Sequence, residues 1–185
     1  MTGWLLDTNI LSELRRPKPE HKVLAFVAAQ PLDLLYVSSA TIAEIRFGIE
    51  LVGDANRRAE LNDWLAHKVR PMFEQRILAI TEDIMFKWRL LVEDGRKAGH
   101  TFSQPDLIIA ATALHHGLTV VSRDVSDYQK ARAPVLNPWV DPLPAPPHAR
   151  HTLPSRCPLA GESGPAERRG DTAPQPWQWG RSSFM

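Results

Sequence analysis

Four short stretches of the chain each carry an acidic residue where an apolar segment begins or ends. These residues are Asp7 in LLDTN, Glu44 in TIAEIRFG, Asp106 in QPDLIIAATAL and Asp124 in SRDVSDY. Carboxylates gathered in a partly dry cleft raise one another's pKa unless a positive charge intervenes. Mg²⁺ and Mn²⁺ are hard cations that prefer carboxylate and water oxygens. The pattern therefore points to a divalent-cation site and to chemistry on phosphate groups.

Each acidic residue also has a purely structural interpretation. Asp7 can cap a following helix, and Asp106 lies in a first helical turn, where a carboxylate is favourable. Thr41 and Glu44 have the spacing of a capping box. The acidic residues of SRDVSDY lie in a strand-exit loop, where Asp is common for turn reasons. Coincidence of all four positions at one edge of a sheet favours the functional interpretation.

The composition predicts one globular domain and a tail. The chain has 185 residues, of which 43% are hydrophobic and 23% charged, enough for a single sizeable core. The only cysteine, Cys157, excludes an internal disulfide framework and a cysteine-based zinc site. A net charge of +1 neither indicates nor excludes a nucleic-acid partner. Residues from 142 onward contain nine of the sixteen prolines and no Ile or Val. We therefore predict a domain over 1–140 and a Pro-rich, disordered tail over 141–185.

The N-terminus predicts a cytoplasmic protein that does not enter a membrane. Met1 leads directly into a short strand-like run, Trp4–Leu6, with no charged leader or small-residue cleavage site. No stretch approaches the roughly 20 apolar residues of a membrane span.

Within residues 1–140, apolar strand patterns alternate with helical patterns. Strands are predicted at Trp4–Leu6, Leu34–Val37, Arg76–Ile80, Thr119–Ser122 and Val135–Leu136, and helices at 10–14, 22–29, 41–51, 55–68, 81–99 and 104–116. This alternation predicts an α/β fold, a doubly wound and mostly parallel sheet with helices on both faces. Ligands of such folds bind beyond the carboxyl ends of the strands, where strand order reverses. Asp7 and Asp124 closely follow predicted strands.

Several segments resemble the PIN domain family, in particular its VapC-type toxins and their FitB-like branch. The segments are LLDTNILSELRRP at 5–17, VSSATIAEIRFGI at 37–49, FEQRIL at 73–78, DLIIAATALHHGLTVVSRDVSDY at 106–128 and VLNPW at 135–139. They cover the predicted domain but not the tail. The resemblance implies a PIN-like endoribonuclease that depends on Mg²⁺ or Mn²⁺ and hydrolyses RNA phosphodiester bonds. It also implies a homodimer and a type II module in which a VapB-type antitoxin neutralises the toxin.

The resemblance assigns roles to individual residues. Asp7, Glu44, Asp106 and Asp124 match the acidic quartet of the family. We expect Asp7 and Asp106 to be direct cation ligands, Glu44 to position the cation or a water, and Asp124 to support a water or a second ion. Family members often have Asn at the position of Asp124. The supporting positions implied by the resemblance are Thr8, Ser122 and Asp127.

Basic residues flank the acidic positions and predict a rim that holds a nucleic-acid backbone. They are Arg15, Arg16, Lys18, Arg46 and Arg123. Contacts of this kind fix a phosphate backbone without specifying bases. Each residue taken singly fits equally well on a solvated face or in a salt bridge.

Other enzyme classes lack their motifs in this sequence. No Gly-rich phosphate loop, GxSxG elbow or dinucleotide fingerprint occurs. Asn9 stands where a phosphoaspartyl phosphatase needs a second Asp. Two alternatives to a nuclease remain: a non-catalytic PIN-like module that binds nucleic acid or protein, and a toxin–antitoxin assembly that acts as a DNA-bound repressor.

Overall fold

The structure is a computed structural model that describes residues 3–144. Five short strands form one sheet in the order β3-β2-β1-β4-β5, and every pairing is parallel. The strands are β1 (Trp4–Leu6), β2 (Leu35–Ser38), β3 (Ile77–Leu78), β4 (Thr119–Val121) and β5 (Val135–Leu136). The predicted doubly wound α/β fold is confirmed. Most of the tail predicted over 141–185 lies outside the described residues.

Helices connect the strands and cover both faces of the sheet. They are α1 (Thr8–Leu14), α2 (His21–Ala29), α3 (Ser39–Glu50), α4 (Ala55–Trp64), α5 (Arg70–Met72), α6 (Glu82–Lys97), α7 (Gln104–His116) and α8 (Ser126–Lys130). Between α4 and α5 the chain widens into a π-helical stretch, Leu65–Val69, just before Pro71, which has no N–H to give to a helical ladder. No helix within residues 3–144 combines the length and apolar character that a membrane span needs.

The strand order places a topological switch point between β1 and β4. The chain moves outward from β1 to β2 and β3, then returns to the other side of β1 to add β4 and β5. Leu6 lies opposite both Val37 and Val121, so the residues that follow β1 and β4 lie at the same level. Asp7 N–H donates to the Val121 carbonyl at 3.1 Å, which extends the ladder one residue beyond β1. The sheet therefore delivers Asp7 to the position where such folds bind ligands.

Alternate residues of the central strands enter two separate cores. Leu5 and Val120 pack with Leu107 and Ile109 of α7 on one face, whereas Leu6 and Val121 belong to the core on the other face. A parallel sheet buried on both faces has this continuous apolar character along each strand. The carboxyl edge of the sheet is thus where polar side chains can gather.

Candidate active site

Asp7 lies at the centre of the site and is almost completely buried, with 4% of its surface exposed. Its Oδ1 accepts the Thr8 N–H at 2.6 Å, so Asp7 does cap α1. Its Oδ2 accepts the Ser122 hydroxyl at 2.6 Å and the Asn9 side-chain amide at 3.0 Å. The Asp7 side chain therefore both caps α1 and belongs to the acidic site.

Asn9 and Ser122 join the start of α1 to the loop after β4. Asn9 Nδ2 also donates to Ser122 Oγ at 2.9 Å, and Asn9 Oδ1 accepts the Arg123 N–H at 3.2 Å. Ser122 Oγ accepts the Asp124 N–H at 3.0 Å. The sequence interpretation assigned no role in the site to Asn9. The sequence signal for Asn9 is its position two residues after Asp7. The parallel pairing of β1 and β4 brings this position close to Ser122, which follows β4.

Glu44 is directed toward α1 and does not form the capping box that its spacing allows. The cap of α3 is Ser38, whose Oγ accepts the Ala40 N–H at 3.1 Å, so Thr41 lies inside the helix. Glu44 Oε2 instead accepts the Thr8 hydroxyl at 2.6 Å. This contact brings the carboxylate of α3 beside the residue that follows Asp7.

Asp106 enters the site from the first turn of α7, where Pro105 occupies the start of the helix. The pKa of Asp106 is raised to about 6, mainly by burial and then by the charge of Asp7, with a smaller contribution from Glu44. A hydrogen bond with Ser103 opposes these effects. The pKa is therefore high for two reasons that belong to this site, desolvation and neighbouring carboxylates.

Asp7, Glu44 and Asp106 act on one another through space. Burial raises the pKa of Asp7, and the hydrogen bonds from Ser122 and Thr8 oppose this effect. Burial also raises the pKa of Glu44, and the charge of Asp7 adds to it. A bound cation would offset the repulsion among these carboxylates and lower their pKa values.

The donor set fits a hydrated divalent cation. Within residues 3–144, no three acidic, His or Cys side chains already converge at the spacing of direct ligands. Mg²⁺ commonly keeps several waters and binds through one or two carboxylates, so three converged ligands are not required. Asp7 and Asp106 can supply these one or two carboxylates, since the charge of Asp7 acts on Asp106 and helps to raise its pKa.

Asp124 and Asp127 have different environments. Asp124 is exposed, and its charge contributes to the raised pKa of Asp7. Asp127 Oδ2 accepts the Ser103 N–H at 2.9 Å, and its Oδ1 lies 3.3 Å from Lys130 Nζ. Asp127 thus ties α8 to the residue that precedes α7, and it supports the helix that carries Asp106.

A cleft of about 220 Å³ adjoins the acidic group between α1, α3 and α4. Thr8 and Glu44 line one part of it, and Arg15 lines another with its guanidinium 5.7 Å from the ring centre of Trp64. The cleft therefore joins acidic, basic and aromatic groups.

The other predicted rim residues are more dispersed. Arg123 lies beside Asp124 with its guanidinium 5.7 Å from the Trp139 ring centre. Arg16 is exposed and forms a 3.0 Å salt bridge to Glu13. Lys18 is exposed, and Arg46 lines a different depression with Arg70. Of the five basic residues, Arg15 lines the same cleft as Glu44, and Arg123 contacts the site through its backbone N–H, which donates to Asn9.

Sequence comparisons relate the chain to proteins of one kind. The PIN domain family model matches residues 4–132. VapC ribonuclease Y4jK of Sinorhizobium fredii is 36% identical over 135 residues, which are 73% of this chain and 96% of the relative. Toxin FitB of Neisseria gonorrhoeae is 35% identical over 137 residues, 74% of this chain and 99% of the relative.

Two solved structures have a similar fold at comparable identity. The crystal structure of FitAcB from Neisseria gonorrhoeae superposes with a TM-score of 0.70 at 34% identity, covering 74% of this chain and 99% of that chain. The structure of FitAB bound to an IR36 DNA fragment gives a TM-score of 0.69 at 33% identity, covering 74% and 95%.

Burial of Asp106 and its repulsion by Asp7 predict that Asp106→Asn stabilises the cation-free protein near neutral pH. The pKa of Asp106 rises from 3.8 to about 6 in the folded protein, so its contribution to stability is complete below pH 4 and is lost as the pH rises through 6. Asn carries no charge to desolvate. We compare the free energy of unfolding of Asp106→Asn with that of the unmodified chain at each pH. The advantage of the variant should be larger at pH 7 than at pH 4 by about 1–2 kcal/mol.

Urea unfolding in EDTA at both pH values measures this difference. Asp63→Asn is the matched control, because Asp63 is exposed on α4 and pairs with His67 of the following π-helical stretch, away from the acidic group. A difference from the unmodified chain that stays constant between pH 4 and 7 would show that Asp106 does not carry the repulsion.

Proposed function

Because the chain belongs to the PIN domain family, among its VapC- and FitB-type members, we propose that it is a metal-dependent endoribonuclease toxin. It hydrolyses phosphodiester bonds of RNA and is neutralised by a cognate VapB-type antitoxin. The observation that carries this proposal is the group of Asp7, Glu44 and Asp106, each with a raised pKa, at the switch point of a parallel sheet.

Asp7 and Asp106 hold a Mg²⁺ or Mn²⁺ ion in this proposal, and Asp124 assists from the exposed side. When bound, the ion supplies a Lewis acid for the phosphoryl oxygens and a template that orients water for in-line attack. Asp7 is held for this role by Ser122 and Asn9, which fix the orientation of its carboxylate. Asp127 contributes indirectly by fixing the start of α7.

Glu44 positions the attacking water. Its Oε2 is engaged by the Thr8 hydroxyl, while its Oε1 has no hydrogen bond within residues 3–144 and is free to accept one from water. The raised pKa of Glu44 makes its carboxylate a better proton acceptor near neutral pH. Thr8 acts by holding this side chain toward Asp7.

Arg15 and Arg123 hold the RNA backbone on the two sides of the acidic group. Both guanidinium groups lie over tryptophan rings, which fixes flexible side chains in place. Arg16, Lys18 and Arg46 lie farther out and contribute to attraction of the phosphate backbone at longer range. This arrangement predicts binding that depends on salt more than on base sequence.

The assembly follows from the similar proteins. The FitAB structure contains DNA, and this favours a second function for our chain, namely DNA binding as part of a toxin–antitoxin complex. RNA as the substrate places the protein in the cytoplasm. The homodimer stays a prediction. The domain boundary at residue 140 also stays one, since the family match ends at 132 and β5 ends at Leu136.

Loss of the two proposed ligands should abolish RNA cleavage. We expect the Asp7→Asn/Asp106→Asn variant to cut labelled total RNA at least about 100-fold more slowly, because it no longer holds the ion. Cleavage by the unmodified chain should require Mg²⁺ or Mn²⁺ and stop in EDTA. Gel separation and mapping of the RNA ends measure both rate and position.

The matched control for this assay is Asp63→Asn/Asp94→Asn, which makes the same charge change at two exposed positions. It should cleave at the unmodified rate. If the unmodified chain is folded and binds the ion but cuts no RNA under any condition, the nuclease is excluded and the binding-module alternative takes its place.

Salt dependence tests the role of Arg15. In the Asp7→Asn/Asp106→Asn background, which leaves RNA intact, Arg15→Gln should lower the slope of log affinity against log salt by about 1. Arg89→Gln is the control, because Arg89 also stands 5.7 Å over a tryptophan, Trp88, but lies on α6 outside the cleft. Fluorescence anisotropy with a labelled RNA gives the slopes. Equal slopes for the two variants would remove Arg15 from the interface.

Growth of a bacterial host tests the toxin assignment. Induced expression of the chain should arrest growth, because RNA cleavage without antitoxin is not limited. The Asp7→Asn/Asp106→Asn variant should permit growth, and the Asp63→Asn/Asp94→Asn variant should arrest it. Optical density after induction, at equal protein levels, distinguishes these outcomes. Arrest by all three proteins would mean that toxicity has another cause.

A further inference from the structure

Tyr128 is a large, fully buried side chain in the core that packs against α7. Its hydroxyl oxygen makes no hydrogen bond to any group within residues 3–144. A buried hydroxyl without a partner is destabilising, and a phenylalanine would fill the same space without that cost. The hydroxyl therefore calls for an explanation other than packing.

The environment of the hydroxyl is the acidic group. Burial and the charges of Asp7, Asp106 and Glu44 raise the pKa of Tyr128 far above its ordinary value, so the hydroxyl keeps its proton. Its oxygen lies close enough to the Asp7 carboxylate to lower that group's pKa, although the contact lacks the geometry of a well-formed hydrogen bond. The side chain thus holds an unused donor beside a proposed cation ligand.

We propose that Tyr128 is a positioning residue of the acidic site, and that its hydroxyl donates a hydrogen bond to the Asp7 carboxylate when a divalent cation is bound. This inference rests on the proposed function, because it concerns the same cation. It adds to the acidic quartet a residue that touches neither RNA nor the ion.

The Asp7 carboxylate has enough acceptor positions to take the Tyr128 hydroxyl and a cation together. A carboxylate offers about four acceptor positions, and Thr8, Asn9 and Ser122 occupy three of those of Asp7. The Ser122 hydroxyl has another acceptor within reach, the Asp124 carbonyl at 3.3 Å. If Ser122 turns to that carbonyl, Thr8, Asn9, Tyr128 and the cation fill the four positions. Tyr128 then replaces the orienting contact that Ser122 gives up.

Tyr128→Phe removes one buried oxygen atom and tests the proposal. We expect the dissociation constant for Mn²⁺, measured by calorimetry without RNA, to rise about tenfold, the size expected for a lost hydrogen bond to a charged group. The thermal midpoint in EDTA should stay the same or rise, because the hydroxyl has no partner there. A structural role would instead lower this midpoint.

Tyr36→Phe is the matched control, because Tyr36 is the only other tyrosine of the chain and lies on β2 next to Gly3. It should bind Mn²⁺ like the unmodified chain. Unchanged Mn²⁺ affinity in Tyr128→Phe, or a lowered midpoint in EDTA, would overturn the role of Tyr128 while leaving the nuclease intact. Absence of Mn²⁺ binding by the unmodified chain would overturn this inference together with the metal-dependent function.

Discussion

The free-energy cost of gathering carboxylates in a partly desolvated group is the constraint on which the organisation of this molecule depends. Asp7, Glu44 and Asp106 come from three separate elements, and each has its pKa raised by burial and by at least one acidic neighbour. Folding brings these groups together because the two hydrophobic cores on either side of the sheet favour the arrangement of β1, α3 and α7 that does so. The free energy of the cores thus maintains an acidic site that is unfavourable on its own.

The fold holds these acids with contacts that also build the helices. Asp7 caps α1 while accepting from Ser122, and Thr8, the first residue of α1, donates to Glu44. Asp127 accepts the Ser103 N–H immediately before α7. Helix N-termini suit negative charge, so the acids gain a small stabilisation there that partly offsets repulsion. Structural and functional interpretations of these residues are therefore not in competition.

The pattern of apolar residues in this sequence predicts most of the strands and helices of the fold. The apolar runs of β1 and β5 and the limits of α7 predict elements with the observed bounds, because these segments are strongly patterned and end at turn residues. Rules based on short sequence spacing failed where contacts between distant residues determined the structure. The Thr41–Glu44 spacing favours a capping box, but α3 begins earlier, at Ser39 with Ser38 as its cap, and the Glu44 side chain accepts from Thr8 instead.

Two further features were beyond the reach of local patterns. The short helix α8 begins within SRDVSDY, whose Ser and Asp residues are typical of a turn, and it packs against α7. The positions of Asn9 and Tyr128 in the acidic site depend on contacts across more than 100 residues of chain. Such contacts follow from the sheet order and not from any short motif.

The continuation of the hydrogen-bond ladder past the strand ends has a consequence for how the site can move and change. Asp7 N–H pairs with the Val121 carbonyl and Ser122 N–H with the Leu136 carbonyl, so the backbone that carries Asp7 and Ser122 is part of the sheet. Local opening of the site then requires opening of the central strands, which are the most cooperative part of such a domain. The cleft walls on α1, α3 and α4 lie outside that ladder. The other side chains of these walls can diverge between relatives, and with them the choice of RNA, while the sheet keeps Asp7 and Ser122 in place.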